Sequence, residues 1–331
     1  MNATRYDVVG IGNAIVDIIA TCDDAFLSKH DLDKGFMRLI DAKQAEDLYA
    51  LMGPAIERSG GSAANTIAGL ASFGGKAAFI GCVADDQFGR VFTHDCRAIG
   101  VDYNTPPATS GAPTALCLVL VTPDGERTMN TFLGASTELG PAEIDEALIA
   151  AANVTYLEGY LFDKPEAKQA FHHAAKLAAQ AGRKTALTLS DAFCVDRHRD
   201  DFRKLVHHGV DILFANETEI TALFEVNSFD EAVTAVRGEC DVAILTRSAA
   251  GSLIVTGDEI VEVRPEPVDK VVDVTGAGDL YAAGFLYGFT RALPLATCGR
   301  LGSLAAAEVI SHIGARPEVP LDKLAREAGL V

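Results

Sequence analysis

Residues 154–190 read VTYLEGYLFDKPEAKQAFHHAAKLAAQAGRKTALTLS, passing from strand to helix and back to strand. VTYLEGY (154–160) is short, apolar and β-branched. In the alanine-rich run that follows, apolar residues recur at helical spacing until Gly182 closes the helix. KTALTLS (184–190) then reads as a strand, as do VDILFA (210–215), VAILT (242–246) and, earlier, AAFIGCV (77–83). Strands separated by helical runs of this length become parallel neighbours, because each crossover returns over one face of the sheet. The expected fold class is α/β: a doubly wound, mostly parallel sheet flanked by helices.

Two segments break that rhythm. Residues 18–59 are richer in charge, and residues 106–132 (PPATSGAPTALCLVLVTPDGERTMNTF) read as a hairpin turning at Thr122-Pro-Asp-Gly125. Together they are expected to form a small β-rich lid (18–59 and 106–132). The remainder, 1–17, 60–105 and 133–331, is expected to form one large unit. Val8–Ala20, with Asp17 its only charged side chain, reads as the first buried strand of that unit.

Composition narrows the function. The 331 residues hold 28 Lys and Arg against 46 Asp and Glu, a formal charge of −18. Wrapping nucleic acid or lying on anionic lipid would need a basic face, so both are excluded as expectations. A small phosphate needs only local donors and stays open. No apolar run reaches the roughly 18–20 residues of a membrane span. The N-terminal stretch carries Asp7 and Asp17 and no small-residue cleavage site, so a signal peptide is not expected. Seven cysteines, scattered and never spaced C-x-x-C, read as reduced thiols of a cytoplasmic protein.

Asp17 and Asp279 stand in apolar surroundings, and Asn65 opens the small-residue stretch SAANTIAGLASFG (62–74). Withdrawing a carboxylate from water costs several kcal/mol unless it is paired. The partners are either backbone amides at helix starts or ligand hydroxyls. Asp273-Val-Thr-Gly-Ala-Gly-Asp279 adds a turn without side chains just before a long apolar helix. Free amides at such a helix start favour an anion. An acid beside them repels phosphate unless it takes a proton from an incoming nucleophile, a combination that points to phosphoryl transfer. Other phosphate and nucleophile motifs are lacking. There is no G-x-x-x-x-G-K-[ST], and Ile15 stands where a dinucleotide fingerprint needs glycine. Ala64 spoils a nucleophile elbow at Gly60-Gly-Ser62, and His172-His173 and His207-His208 lack metal-ligand spacing.

In order along the chain, Gly12-Asn-Ala-Ile-Val-Asp17, Gly60-Gly-Ser-Ala-Ala-Asn65, Gly81-Cys-Val-Ala-Asp-Asp-Gln-Phe-Gly89, Asn216-Glu-Thr-Glu219 and the 273–279 turn with Ala283-Gly-Phe285 resemble the ribokinase-like (PfkB-type) family of carbohydrate and nucleoside kinases. Within it they are most similar to the adenosine kinases. The resemblance implies that Asp279 is the base for the sugar hydroxyl and that Gly276, Ala277 and Gly278 form the anion hole. It implies that Asn13, Asp17, Gly60, Gly61 and Asn65 hold the ribose. Arg127 resembles the lid arginine that reaches the transferring phosphate. Asn216 and Glu219 match the motif that orders water around Mg²⁺ on ATP, so Glu219 would meet the metal through water. Thr246, Ser248 and Gly251 correspond to the nucleotide loop, with Ala306 beside the adenine. Val274 and Ser248 depart from the usual residues, which bears on cation and ATP binding. A monovalent cation is left open.

Gly159-Tyr-Leu161 and Ser190-Asp-Ala-Phe193 look like the segments that wall the base, with Leu161 and Phe193 as its contacts. A flat aromatic such as Phe193 can stack on a purine. The resemblance thus implies an ATP- and Mg²⁺-dependent kinase for the 5′-hydroxyl of a ribonucleoside, adenosine first, working as a monomer or homodimer. The alternatives are a kinase for ribose, fructose or another nucleoside (inosine, guanosine, cytidine), and a non-catalytic nucleoside-binding protein.

Overall fold

A computed structural model describes residues 4–331; residues 1–3 of the expected 1–17 segment lie outside the described residues. Nine strands form the larger sheet, in the order Ile260–Val263, Ser252–Val255, Val242–Thr246, Ile212–Asn216, Lys184–Thr188, Ala152–Glu158, Tyr6–Ile11, Ala77–Ile80 and Asp102–Tyr103. Every neighbouring pair is parallel except the two at the Ile260–Val263 end. The chain enters at Tyr6–Ile11 and builds outward on both sides of it. That makes the carboxyl ends of Tyr6–Ile11 and Ala152–Glu158 the switch point where open α/β sheets bind ligands.

Helices cover both faces, as the alternating sequence pattern requires. Helix Pro165–Gln180 lies close to the sheet because Ala167, Ala170, Ala174 and Ala178 meet it with no exposed surface. On the other face, helices Ser62–Ser72 and Ala277–Phe289 cross in contact and bring their N-termini to the switch point.

The second sheet has five strands in the order Met37–Leu39, Arg127–Phe132, Ala115–Val121, Ile15–Thr21 and Ala55–Gly60. Its hairpin turns where expected, the Gly125 amide donating to the Thr122 carbonyl at 2.8 Å. One expectation is corrected. Val8–Ala20 is not one strand but two, broken at Gly12-Asn-Ala14, and Ile15–Thr21 leaves the large sheet for the small one. The break is chemical: Asn13 is 2% exposed and spends its side chain on polar partners, so the ladder cannot continue through it. Asp17 therefore belongs to the small sheet, on the face it shares with Ile15 and Ile19.

Candidate active site

Asp279 stands in the first turn of helix Ala277–Phe289 and is half-buried. The Ser62 hydroxyl donates to its Oδ1 at 2.6 Å and the Asn65 amide to its Oδ2 at 3.0 Å. Burial pushes its pKa up, and the bonds from Ser62 and Asn65 pull it back. Gly276, at φ +78°, supplies the left-handed residue that starts the helix, and a Cβ there would lie 2.7 Å from the Ala315 Cβ. No side chain caps this helix. The Ala277 amide donates to the Val274 carbonyl at 3.2 Å. Among the described residues the amides of Gly278 and Asp279 have no acceptor, and the space beyond Gly278 is open.

Asp17 faces this turn from the small sheet. Among the described residues its carboxylate has no hydrogen-bond partner. Gly60, whose Cβ would overlap the carboxylate, leaves room for it. Its pKa is pushed up to about 6 by burial, against the pull of Arg127, Arg316 and Arg58, with Asp279 pushing the same way as burial. Arg316, which the sequence reading missed, is 8% exposed and bonds Ser59 through Nε and Nη2. Among the described residues no carboxylate pairs with it directly; burial works against its charge, and Asp17, Asp95 and Asp279 favour it from further off. No motif marks it; only the folded chain brings it here.

Arg127 reaches the turn. Its Nη1 meets Asp273 Oδ2 at 2.6 Å and the Thr275 hydroxyl at 2.8 Å. Asp273 also accepts the amides of Thr275 and Gly314. The arginine is thus bound to the loop that shapes the turn through Nη1, while its buried Nε has no partner among the described residues.

The residues expected at the sugar and base stand as follows. The Asn13 amide nitrogen donates to Glu158 at 2.6 Å and its oxygen accepts from Ser136 at 2.8 Å, which leaves one N–H and one lone pair of the buried side chain. Leu161 is 2% exposed inside the hydrophobic core, whereas its neighbour Tyr160 is half-exposed. Phe193 is 76% exposed, in the first turn of the helix capped by Asp191. Ser190, just before it, is held at φ +69° with a buried, unpaired hydroxyl.

Asn216 and Glu219 cap helix Glu217–Phe224 reciprocally: both Glu219 oxygens accept from Asn216, and Asn216 accepts the Glu219 amide. Burial pushes Glu219 up to about 7, with Asp191 and Asp279 adding to it. Among the described residues no three His, Cys, Asp or Glu side chains converge on a metal site. A lone acid with both oxygens engaged fits an Mg²⁺ reached through water, not a direct ligand. Thr246 ends its strand opposite Asn216, and Ser248 and Gly251, both at positive φ, fold the following loop back onto itself. Ala306 lies half-buried on helix Leu295–Val309.

These elements are those of a phosphoryl-transfer fold, and the comparisons agree. Residues 40–322 match the pfkB family of carbohydrate kinases; the chain belongs to that family and is a phosphotransferase. It is similar to the adenosine kinase from Sinorhizobium meliloti (54% identity, TM-score 0.91, covering 98% of this chain and 99% of that one). It is similar also to a probable sugar kinase protein from Rhizobium etli (51% identity, TM-score 0.93, covering 99% and 100%). Among curated relatives, the adenosine kinase of Saccharomyces cerevisiae is 26% identical over 96% of this chain and 98% of its own. Among the described residues no helix is long and apolar enough to cross a membrane.

Proposed function

We propose that this protein transfers the terminal phosphoryl group of ATP to the 5′-hydroxyl of adenosine. The observation that carries the reading is the half-buried Asp279 carboxylate, gripped by Ser62 and Asn65, beside the free Gly278 and Asp279 amides. A carboxylate so held accepts the hydroxyl proton as the oxygen attacks, and the amides stabilise charge on the transferring group. Asp17 accepts the two vicinal ribose hydroxyls, for which it has both oxygens free. Phe193, exposed at the mouth of the site, stacks on the base.

The small sheet acts as a lid over the large unit and excludes water, the competing acceptor. Thr246, Ser248, Gly251 and Ala306 line the nucleotide side. Asn216 and Glu219 would hold Mg²⁺ through water, and the ion supplies charge neutralisation on the ATP phosphates. A monovalent cation fits the turn poorly, because Asp273 already carries Arg127. Seven free thiols suit a reducing, cytoplasmic setting. Turnover of adenosine, inosine, cytidine and ribose under one set of conditions tests the reading: adenosine should give the highest kcat/KM, and a preference for ribose would overturn it.

A further inference from the structure

Glu158 closes the central strand Ala152–Glu158 at the switch point and is 1% exposed. Among the described residues no cation touches it. Its Oε1 accepts the Asn13 side-chain amide at 2.6 Å and the Asn13 backbone amide at 3.3 Å, and its Oε2 accepts the Ala63 amide at 2.8 Å. Burial pushes it up to about 7 despite these bonds, so the chain tolerates an acid here at a cost.

The glycines around it serve the same junction. A Cβ at Gly12 would overlap Glu158 Oε2, and one at Gly61, at φ +94°, would overlap the Asn13 carbonyl oxygen. Gly61 is the N-cap of helix Ser62–Ser72 and offers no side chain to that helix's first amides. Glu158 replaces the missing cap from a strand almost a hundred positions away in the chain, and a negative charge suits that end of a helix. The amide it takes, that of Ala63, lies between Ser62 and Asn65. Those are the two residues that grip Asp279.

We infer that Glu158 is the positioning residue for the base: it caps the helix that presents Ser62 and Asn65, and so fixes the direction in which Asp279 faces the acceptor hydroxyl. It touches no substrate. The inference rests on the kinase reading above and deepens it. Without the cap the first turn of Ser62–Ser72 is free to unwind, Ser62 and Asn65 lose their common register, and Asp279 is left without a fixed rotamer.

The test is a kinetic split. The native chain is first shown to phosphorylate adenosine; if it does not, the kinase reading fails before this inference is engaged. Glu158→Leu should then lower kcat about a hundredfold, the scale of a misplaced catalytic group. KM for ATP and calorimetric binding of adenosine should stay within roughly threefold of native, because the ligand contacts are untouched. Glu158→Gln should recover most of the loss: its oxygen serves Ala63, and its amide serves Asn13 once that side chain turns over. If Glu158→Leu does not fold, Glu158→Asp draws the carboxylate back from the Ala63 amide without deleting it and should show the same split. Native kcat in the displaced or deleted variant overturns the inference, and so does a loss of adenosine binding equal to the loss of kcat.

Discussion

The guanidinium of Arg127 closes on Asp273 at 2.6 Å, fastening a strand of the small sheet to the loop that opens the glycine turn. The two side chains are 9% and 3% exposed, so the pair is buried. Removing one partner of such a pair strands the other, at about 3–5 kcal/mol. Arg127→Met should lower unfolding stability in urea by that amount. Arg127→Met/Asp273→Asn should cost less than the sum of the single changes, as a double-mutant cycle would show.

Asp279→Asn keeps the shape of the base and removes its capacity to take a proton. Turnover should fall by about 10²–10⁴-fold, while adenosine binding stays measurable by calorimetry. A variant with near-native turnover would refute the assigned base.

Asp17 carries the pH prediction. Its native pKa, about 6, lies above the usual carboxylate range. Between about pH 4 and 6 the native chain therefore holds a proton that the unfolded chain has released, and stability falls as pH rises through that window. Asp17→Asn should melt higher than native near pH ~7.5 and alike near ~4. The same substitution should weaken adenosine binding, and in the native enzyme kcat/KM should fall as pH drops through about 6, where the acceptor of the ribose hydroxyls is neutralised.

Gly276 and Gly278 should respond differently to alanine. At 276 the positive φ and the 2.7 Å approach to Ala315 make the change destabilising, by about 1–2 kcal/mol or more. At 278 the added methyl meets nothing. Gly278→Ala should keep its melting temperature yet lose kcat, because the methyl stands where the phosphoryl group passes.

Phe193→Ala should raise KM for adenosine roughly threefold to tenfold, the worth of one aromatic contact, and leave turnover of free ribose unchanged. Equal effects on both acceptors would remove Phe193 from the base site.

Much of the fold is legible in the sequence because burial writes it there. Parallel strands covered on both faces read as apolar runs, and Pro165–Gln180 shows its alanine stripe openly. Asp279 and its glycine turn are legible for the same reason, as one acid in an apolar stretch. What hides is contact between distant segments. Glu158 sits inside an ordinary strand sequence, and nothing local shows that Ala63 and Asn13 both bond it. Arg316 and the Arg127–Asp273 pair are likewise products of folding. Val8–Ala20 reads as one strand because periodicity does not record which sheet a residue joins; a buried Asn13 flanked by Gly12 is the sole hint of the crossing. Leu161 and Tyr160 are adjacent, and only the local helical turn decides which of them looks outward.

The break at Gly12-Asn-Ala14 has a mechanical corollary. A tether of three residues spans roughly 10 Å at full stretch, and here Asn13 is bolted at both ends to the large body. This crossing between the two sheets therefore has no slack. Asp17 stands four positions beyond the bolt, so the same anchor sets its place relative to the large body.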